Sequence, residues 1–226
     1  MLRTLEERVG LSHTALLVVD LQNDFVHDDG AFAKMGINVS MFQQIIPRVN
    51  ALIDAARGLQ VPVIYVQMIH SQWTNSDVWV QRVRVSKAGW AEDKPKLAYC
   101  VPGTWGSQWY EALRGPADND HVVTKHRYSA FVNTDLDLVL RSTKRKSVVV
   151  TGGETNLCLG TTAMSALQYD YYVVLPSDCI AGINKDSHRH GLQLLDGYFG
   201  IVTTSKEVVE IWKAQNEKRS NLKSEQ

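Results

Sequence analysis

The sequence predicts an α/β protein, a three-layer α/β/α fold around a six-stranded, mostly parallel, Rossmann-like sheet. Three observations predict it. Six short apolar runs alternate with stretches of helical periodicity. The runs are continuous rather than alternating, as strands buried on both faces must be. Strict strand–helix alternation means right-handed βαβ crossovers, with helices covering both faces of the sheet.

The elements follow in order. Thr14–Asp20 (TALLVVD) is the first strand. Met41–Leu59 has helical spacing, with Ser40 as a candidate N-cap. Pro47 lacks an N–H and crowds the preceding turn, which limits where the regular helix can start. Val61–Ile69 is the second strand, Ser107–Leu113 a short helix and His121–Lys125 the third strand. Thr134–Arg141 is helical, capped by Asn133 or Thr134. Ser147–Gly152 is the fourth strand and leads through two glycines into a helix that begins near Cys158. Tyr171–Asp178 is the fifth strand, Asp186–Tyr198 a helix, Gly200–Ser205 the sixth strand and Lys206–Lys218 the last helix. The polar tail Arg219–Gln226 is expected to fray. The stretch from His70 to Tyr99 breaks the pattern, being long, rich in tryptophan and charge, and weakly periodic. It reads as an insertion: either a lid or subunit contact, or a packed surface excursion.

The 226 residues suit a single domain, 1–226, with a full core. The 24 basic and 24 acidic residues cancel. Bulk electrostatics therefore attract neither nucleic acid nor an anionic membrane. No signal-peptide pattern and no bilayer-length apolar run is present. Three widely spaced cysteines, Cys100, Cys158 and Cys179, suit a reducing cytoplasm better than a disulfide framework. No CxxC or HExxH announces zinc. A dinucleotide site needs GxGxxG after the first strand, where this chain reads DLQNDF, and the Gly152-Gly153 pair is too short to replace it. No metal and no cofactor is expected.

Ligands of an open parallel sheet bind outside the carboxyl ends of its strands. Asp20 ends the first strand, Lys125 the third, and Cys158 follows the fourth. Each has a plain structural alternative. Asp20 can be a turn residue, Lys125 part of a solvated basic rim, and Cys158 a core filler. Together they make coherent chemistry. A cysteine at a helix N-terminus is biased toward thiolate. Asp20 can take the thiol proton and return it to a leaving group, and Lys125 can stabilise the anions. The thiolate attacks a carbonyl and water clears the thioester.

The segments ALLVVDLQNDF, TKHRYSAFVNTDLDLVLRS and TGGETNLCLGTTAMSALQYDY with VVLPSDC occur in the order of a known family. Over roughly Thr14–Trp212 the chain resembles the isochorismatase-like cysteine hydrolases. The resemblance implies a six-stranded parallel sheet and a catalytic Asp20, Lys125 and Cys158. It also implies a cis peptide bond between Gly153 and Glu154, with the backbone N–H groups of Glu154 and Cys158 forming an oxyanion hole. The segment after the lysine is similar to the branch that cleaves ureides and carbamoyl amides, which includes ureidoacrylate, biuret and N-carbamoylsarcosine amidohydrolases. That implies a thiol amidohydrolase releasing ammonia or an amine. Alternatives are a relative acting on a nicotinamide-type amide or a vinyl ether, and a non-catalytic binding or assembly module. Metal-bearing relatives carry an Asp two residues before the histidine after the second strand; here Met68 precedes His70, which implies no metal.

Phe25, Tyr128 and Phe131 are candidate pocket residues with core packing as the alternative. The Glu154 side chain either binds a substrate nitrogen or supports a loop. Family relatives are commonly dimers or tetramers, so a homo-oligomer, a tetramer by preference, is expected. Trp73, Trp79 and Trp90 either form its interface or fold back over the chain's own site.

Overall fold

The computed structural model describes residues 1–82, 85–86, 89–90 and 98–224. Six strands carry the fold: β1 (Thr14–Val19), β2 (Val63–Met68), β3 (His121–Lys125), β4 (Ser147–Gly153), β5 (Tyr172–Pro176) and β6 (Ile201–Thr203). Five helices flank them: α1 (Ser40–Gly58), α2 (Leu136–Ser142), α3 (Cys158–Gln168), α4 (Lys185–Tyr198) and α5 (Ser205–Ser224). The spatial order is β3-β2-β1-β4-β5-β6, every neighbour parallel. A seventh, two-residue strand, Ile180–Ala181, pairs with the end of β4.

The sheet grows from β1 toward β2 and β3, then from β4 toward β5 and β6. Right-handed crossovers running in opposite directions put their helices on opposite faces. Accordingly α1 packs against α5 on one side, and α3 against α4 on the other. The reversal lies between β1 and β4, where loops diverge and open a crevice. All six residues of β1 and all seven of β4 are buried. That is why both read as unbroken apolar runs.

Several boundaries differ from the sequence expectation for identifiable reasons. α1 begins with Ser40, takes Val39 as its N-cap and runs straight through Pro47. The proline forfeits one hydrogen bond, while Phe42, Ile45, Ile46, Val49, Leu52 and Ile53 bury a full apolar face. The helix expected over Ser107–Leu113 is absent, and only a single 3-10 turn, Trp105–Ser107, forms. The backbone there is drawn to the loop after β1 instead: Asn23 N–H donates to the Gln108 carbonyl and Tyr110 N–H to the Leu21 carbonyl. α2 starts two residues later than expected, after Asp135, and Thr134 Oγ1 accepts from Leu136 N–H at 3.2 Å. α5 continues through the expected frayed tail to Ser224, a stretch free of glycine and proline.

The excursion after β2 contains a short helix, Asp77–Gln81, and an antiparallel pair, Val85–Ser86 with Gly89–Trp90. Trp73 and Trp79 both line the same cleft, at very different depths. Trp73 is 87% exposed, whereas Trp79 is 9% exposed and packs inward. The Trp90 side chain lies outside the described residues. No described helix is long and apolar enough to cross a membrane.

Candidate active site

Three strand ends bring Asp20, Lys125 and Cys158 together at the reversal point. Asp20 follows β1 in the left-handed region, φ +54°, which short polar side chains tolerate. Lys125 closes β3 in register with Met68 of β2. Its Nζ lies 2.7 Å from Asp20 Oδ2. The contact is a close approach of opposite charges rather than an aligned hydrogen bond. Both side chains are buried, so the lysine is no solvated rim residue. Cys158 is the first residue of α3, packed against Asp20 and Lys125 and bordering the cleft.

The turn between β4 and α3 is tightly built. Gly152 adopts φ +106°, and a Cβ there would collide with the Val19 carbonyl oxygen. The Gly153–Glu154 peptide is cis. Thr155 Oγ1 donates to the Ala181 carbonyl at 2.8 Å and lies 2.7 Å from His188 Nδ1. The hydroxyl proton is already committed, so His188 Nδ1–H is the donor of that second bond. Among the described residues, neither Glu154 N–H nor Cys158 N–H has a backbone acceptor.

The electrostatics correct one expectation. Burial pushes the Cys158 thiol well above its usual range; the Asp20 carboxylate adds to this and Lys125 opposes it. Burial also raises Asp20, against the pull of Lys125. For Lys125, burial favours the neutral amine, but the Asp20 carboxylate outweighs it and the net shift is upward. The resting site is therefore a neutral thiol beside a carboxylate–ammonium pair. Helix position alone does not make the thiolate, because an anion buried next to Asp20 is too costly.

A cleft of about 1290 Å³ opens above these residues. Phe25, Tyr128 and Glu154 line it. Phe25 meets Phe32 edge-on, with ring centroids 4.8 Å apart. Glu154 is 6% exposed, and its Oε2 has no hydrogen-bond partner among the described residues. Burial raises its carboxyl, while backbone N–H groups of Ile183 and Asn156 hold the opposite tendency. Phe131 does not reach the cleft. It stacks on Tyr169 at 5.0 Å and packs near Tyr171, on the α2 side of the sheet. Its ring is a core element, two turns of backbone beyond the lysine that suggested it.

The residues around His70 do not fit a divalent metal. Met68 stands where a carboxylate ligand would be needed, and the Trp79 indole N–H donates to His70 Nδ1 at 3.3 Å. Among the described residues no three His, Cys, Asp or Glu side chains converge as a metal set.

Sequence reading missed two features. One is the clamp built by DLQNDF. Gln22 bonds Met68 N–H at 2.8 Å, the Met68 carbonyl at 3.0 Å and the Ser107 carbonyl at 2.8 Å. Asp24 accepts from Ala31 N–H at 3.1 Å and Cys100 N–H at 2.6 Å. Those polar residues after an apolar strand were its only signal. The other is Arg82 and Tyr99 on the cleft wall, beside His70 and Trp79, the latter in the place its fold-back alternative gave it. They come from the excursion, whose weak periodicity gave no face to assign.

A model of the isochorismatase domain matches residues 14–207. The ureidoacrylate amidohydrolase of Stutzerimonas stutzeri strain A1501 is 28% identical over 204 residues, covering 85% of this chain and 80% of the relative. A cysteine hydrolase from Pseudomonas syringae pv. phaseolicola 1448A superimposes with a TM-score of 0.77 at 28% identity, over 95% of this chain and 98% of the other. An isochorismatase-like hydrolase from Alkaliphilus metalliredigens gives 0.71 at 29% identity, over 90% and 98%. The chain belongs to the isochorismatase family.

Proposed function

We propose that this isochorismatase-family enzyme is a cysteine amidohydrolase that cleaves a carbon–nitrogen bond of a small ureide or carbamoyl amide. One observation carries the reading: a carboxylate, an ammonium and a thiol meet at the floor of the cleft, with Lys125 Nζ 2.7 Å from Asp20. The similarity to ureidoacrylate amidohydrolases supports the substrate class.

Asp20 takes the Cys158 proton as sulfur attacks the carbonyl carbon. Waiting for attack avoids a buried free thiolate, and the proton moves only as charge passes to the substrate oxygen. The Glu154 and Cys158 N–H groups receive that oxygen. The carbon–nitrogen bond breaks, and Asp20 hands its proton to the departing nitrogen, giving ammonia or an amine. A water then loses a proton to Asp20 and attacks the thioester; the sulfur leaves and is reprotonated. Lys125 keeps Asp20 ionised between steps. The unpartnered Glu154 Oε2 accepts an N–H of the substrate, a donor that a urea-type carbonyl carries on both sides.

The test is a panel of biuret, triuret, ureidoacrylate, N-carbamoyl amino acids, nicotinamide and isochorismate, followed by ammonia or product release. A ureide should be hydrolysed by the native protein and not by Cys158→Ala. Turnover of nicotinamide or isochorismate alone would overturn the ureide assignment, and a Cys158→Ala protein at near-native rate would overturn the mechanism. We further propose a homo-oligomer, a tetramer by preference; a light-scattering mass near that of one 25.4 kDa chain would refute it.

A further inference from the structure

Part of the cleft lining, His70, Trp79, Arg82, Tyr99 and Tyr128, is rich in hydrogen-bond donors. Arg82 follows the short helix Asp77–Gln81, and its guanidinium carbon lies 3.6 Å from the centre of the Trp79 ring. Its Nε donates to the Tyr128 hydroxyl at 2.9 Å, one Nη to the Tyr99 hydroxyl at 2.6 Å, and the other to the Trp79 carbonyl. A guanidinium has five N–H groups, so two have no acceptor among the described residues. Both tyrosine oxygens accept from the arginine, which leaves each O–H proton free to donate elsewhere. Among the described residues no carboxylate lies within ion-pair distance of Arg82.

His70 adds a further donor. The Trp79 indole N–H can only donate, so His70 Nδ1 is an acceptor and the ring proton sits on Nε2. The Asn75 amide, whose two ends exchange by a flip, lies 3.4 Å from the same Nδ1. Nε2 is buried with no partner among the described residues, and the residue, 8% exposed, lines the cleft. Burial lowers its pKa to about 4, so this donor is neutral in the physiological range. The His70 and Tyr99 rings touch edge-on at 4.5 Å, joining the histidine to the arginine group. Tyr99 and Cys158 line the same cleft, so the group borders the reacting centre.

We propose that Arg82, Tyr99, Tyr128 and His70 form a seat for a substrate carboxylate, and that the substrate is an N-carbamoyl acid rather than a neutral ureide. A cation fixed over an aromatic face, with no carboxylate within ion-pair distance among the described residues and ringed by donors, matches a planar carboxylate. Glu154 receives the N–H end and Arg82 the acid end. A neutral molecule such as biuret would leave these donors desolvated and unpaired.

This rests on the amidohydrolase reading, and the test separates the two. In the turnover-deficient Cys158→Ala protein, titration calorimetry compares N-carbamoyl-β-alanine with its uncharged amide. The acid should bind at least about 30-fold tighter, and adding Arg82→Met should erase most of that ratio. In otherwise native enzyme, Arg82→Met should lower the kcat/KM ratio of acid to amide about 100-fold, chiefly through KM. Arg82→Lys keeps the charge without the fork and should lie between the two, which serves if the methionine variant misfolds. Equal binding of acid and amide, or an unchanged ratio in both arginine variants, overturns the seat even if ammonia is released. Selective acid binding without ammonia release from any ureide keeps the seat and overturns the reaction.

Discussion

Lys125 and Arg82 are held in opposite ways. Lys125, at the floor, is buried with its charge 2.7 Å from Asp20. Arg82, on the wall, is held by two tyrosine hydroxyls, a carbonyl and a tryptophan face. The first is paired within the fold, so its charge acts on Asp20 and Cys158. The second has neutral partners among the described residues, so its charge is available to a ligand. On the proposed reading, the difference separates machinery that drives the reaction from a surface that selects its substrate. It also separates regular strand ends from an irregular excursion.

The sharpest way to break this division is at the floor. Cys158→Ala should lower kcat by at least ~10³-fold, since covalent catalysis has no substitute here; single-turnover assays on the best ureide measure it. Lys125→Met comes next, with a fall in kcat/KM of ~10²-fold or more. It leaves Asp20 buried without its cation, so urea unfolding should also show a loss of about 3–5 kcal/mol. A Lys125→Met protein with native rate would return that residue to a structural role.

The pH profile sharpens the comparison further. Asp20 must be ionised to accept the thiol proton, and its pKa is raised by burial. Activity should therefore fall with decreasing pH earlier than an ordinary aspartate would dictate. Lys125 and Cys158 are both shifted upward, so the alkaline limb should lie above their ordinary ranges. The limbs belong to the coupled group and not to single residues. The same upward shift makes iodoacetamide labelling of Cys158 slow at neutral pH and faster in alkali. Peptide mapping should find it labelled before Cys100 and Cys179, which are fully buried away from the cleft lining.

The smallest effect separates two aromatics proposed together. Phe131→Leu should cost about 1 kcal/mol of stability, as lost ring packing does, and shift KM little. Phe25→Leu, on the cleft wall, should shift KM at comparable stability cost. Thermal melts alongside kinetics distinguish them.

The frame of this contrast was legible in the chain. β1 and β4 are buried on both faces, so apolar continuity marks them, and the residue after each strand must fall on one edge. Strand ends place Asp20 and Lys125 on that edge and the turn after β4 brings Cys158 to it, while each kept a structural alternative until the fold joined them. Phe131 shows where such reasoning stops. It is six residues past Lys125, close enough in sequence to suggest the same edge, but the turn through Ser129 and Ala130 carries it to Tyr169 and Tyr171. Ser107–Leu113 fails for a related reason: its helical spacing is real, but its backbone hydrogen bonds are taken by the loop after β1.

By itself, then, the sequence determined the alternation of strands and helices and the three residues at the strand ends, because period and burial are local properties of a chain; the order of strands in the sheet and its reversal came from the fold. Tertiary structure decided what state those residues rest in and what stands opposite them. The thiol is neutral because Asp20 and burial surround it, which no helix-start rule contains. Arg82 gains its meaning from Tyr99, Tyr128 and Trp79, contacts that span up to 46 residues of chain. A side chain's charge is written in the sequence; whether that charge is already answered is settled only by what folds against it.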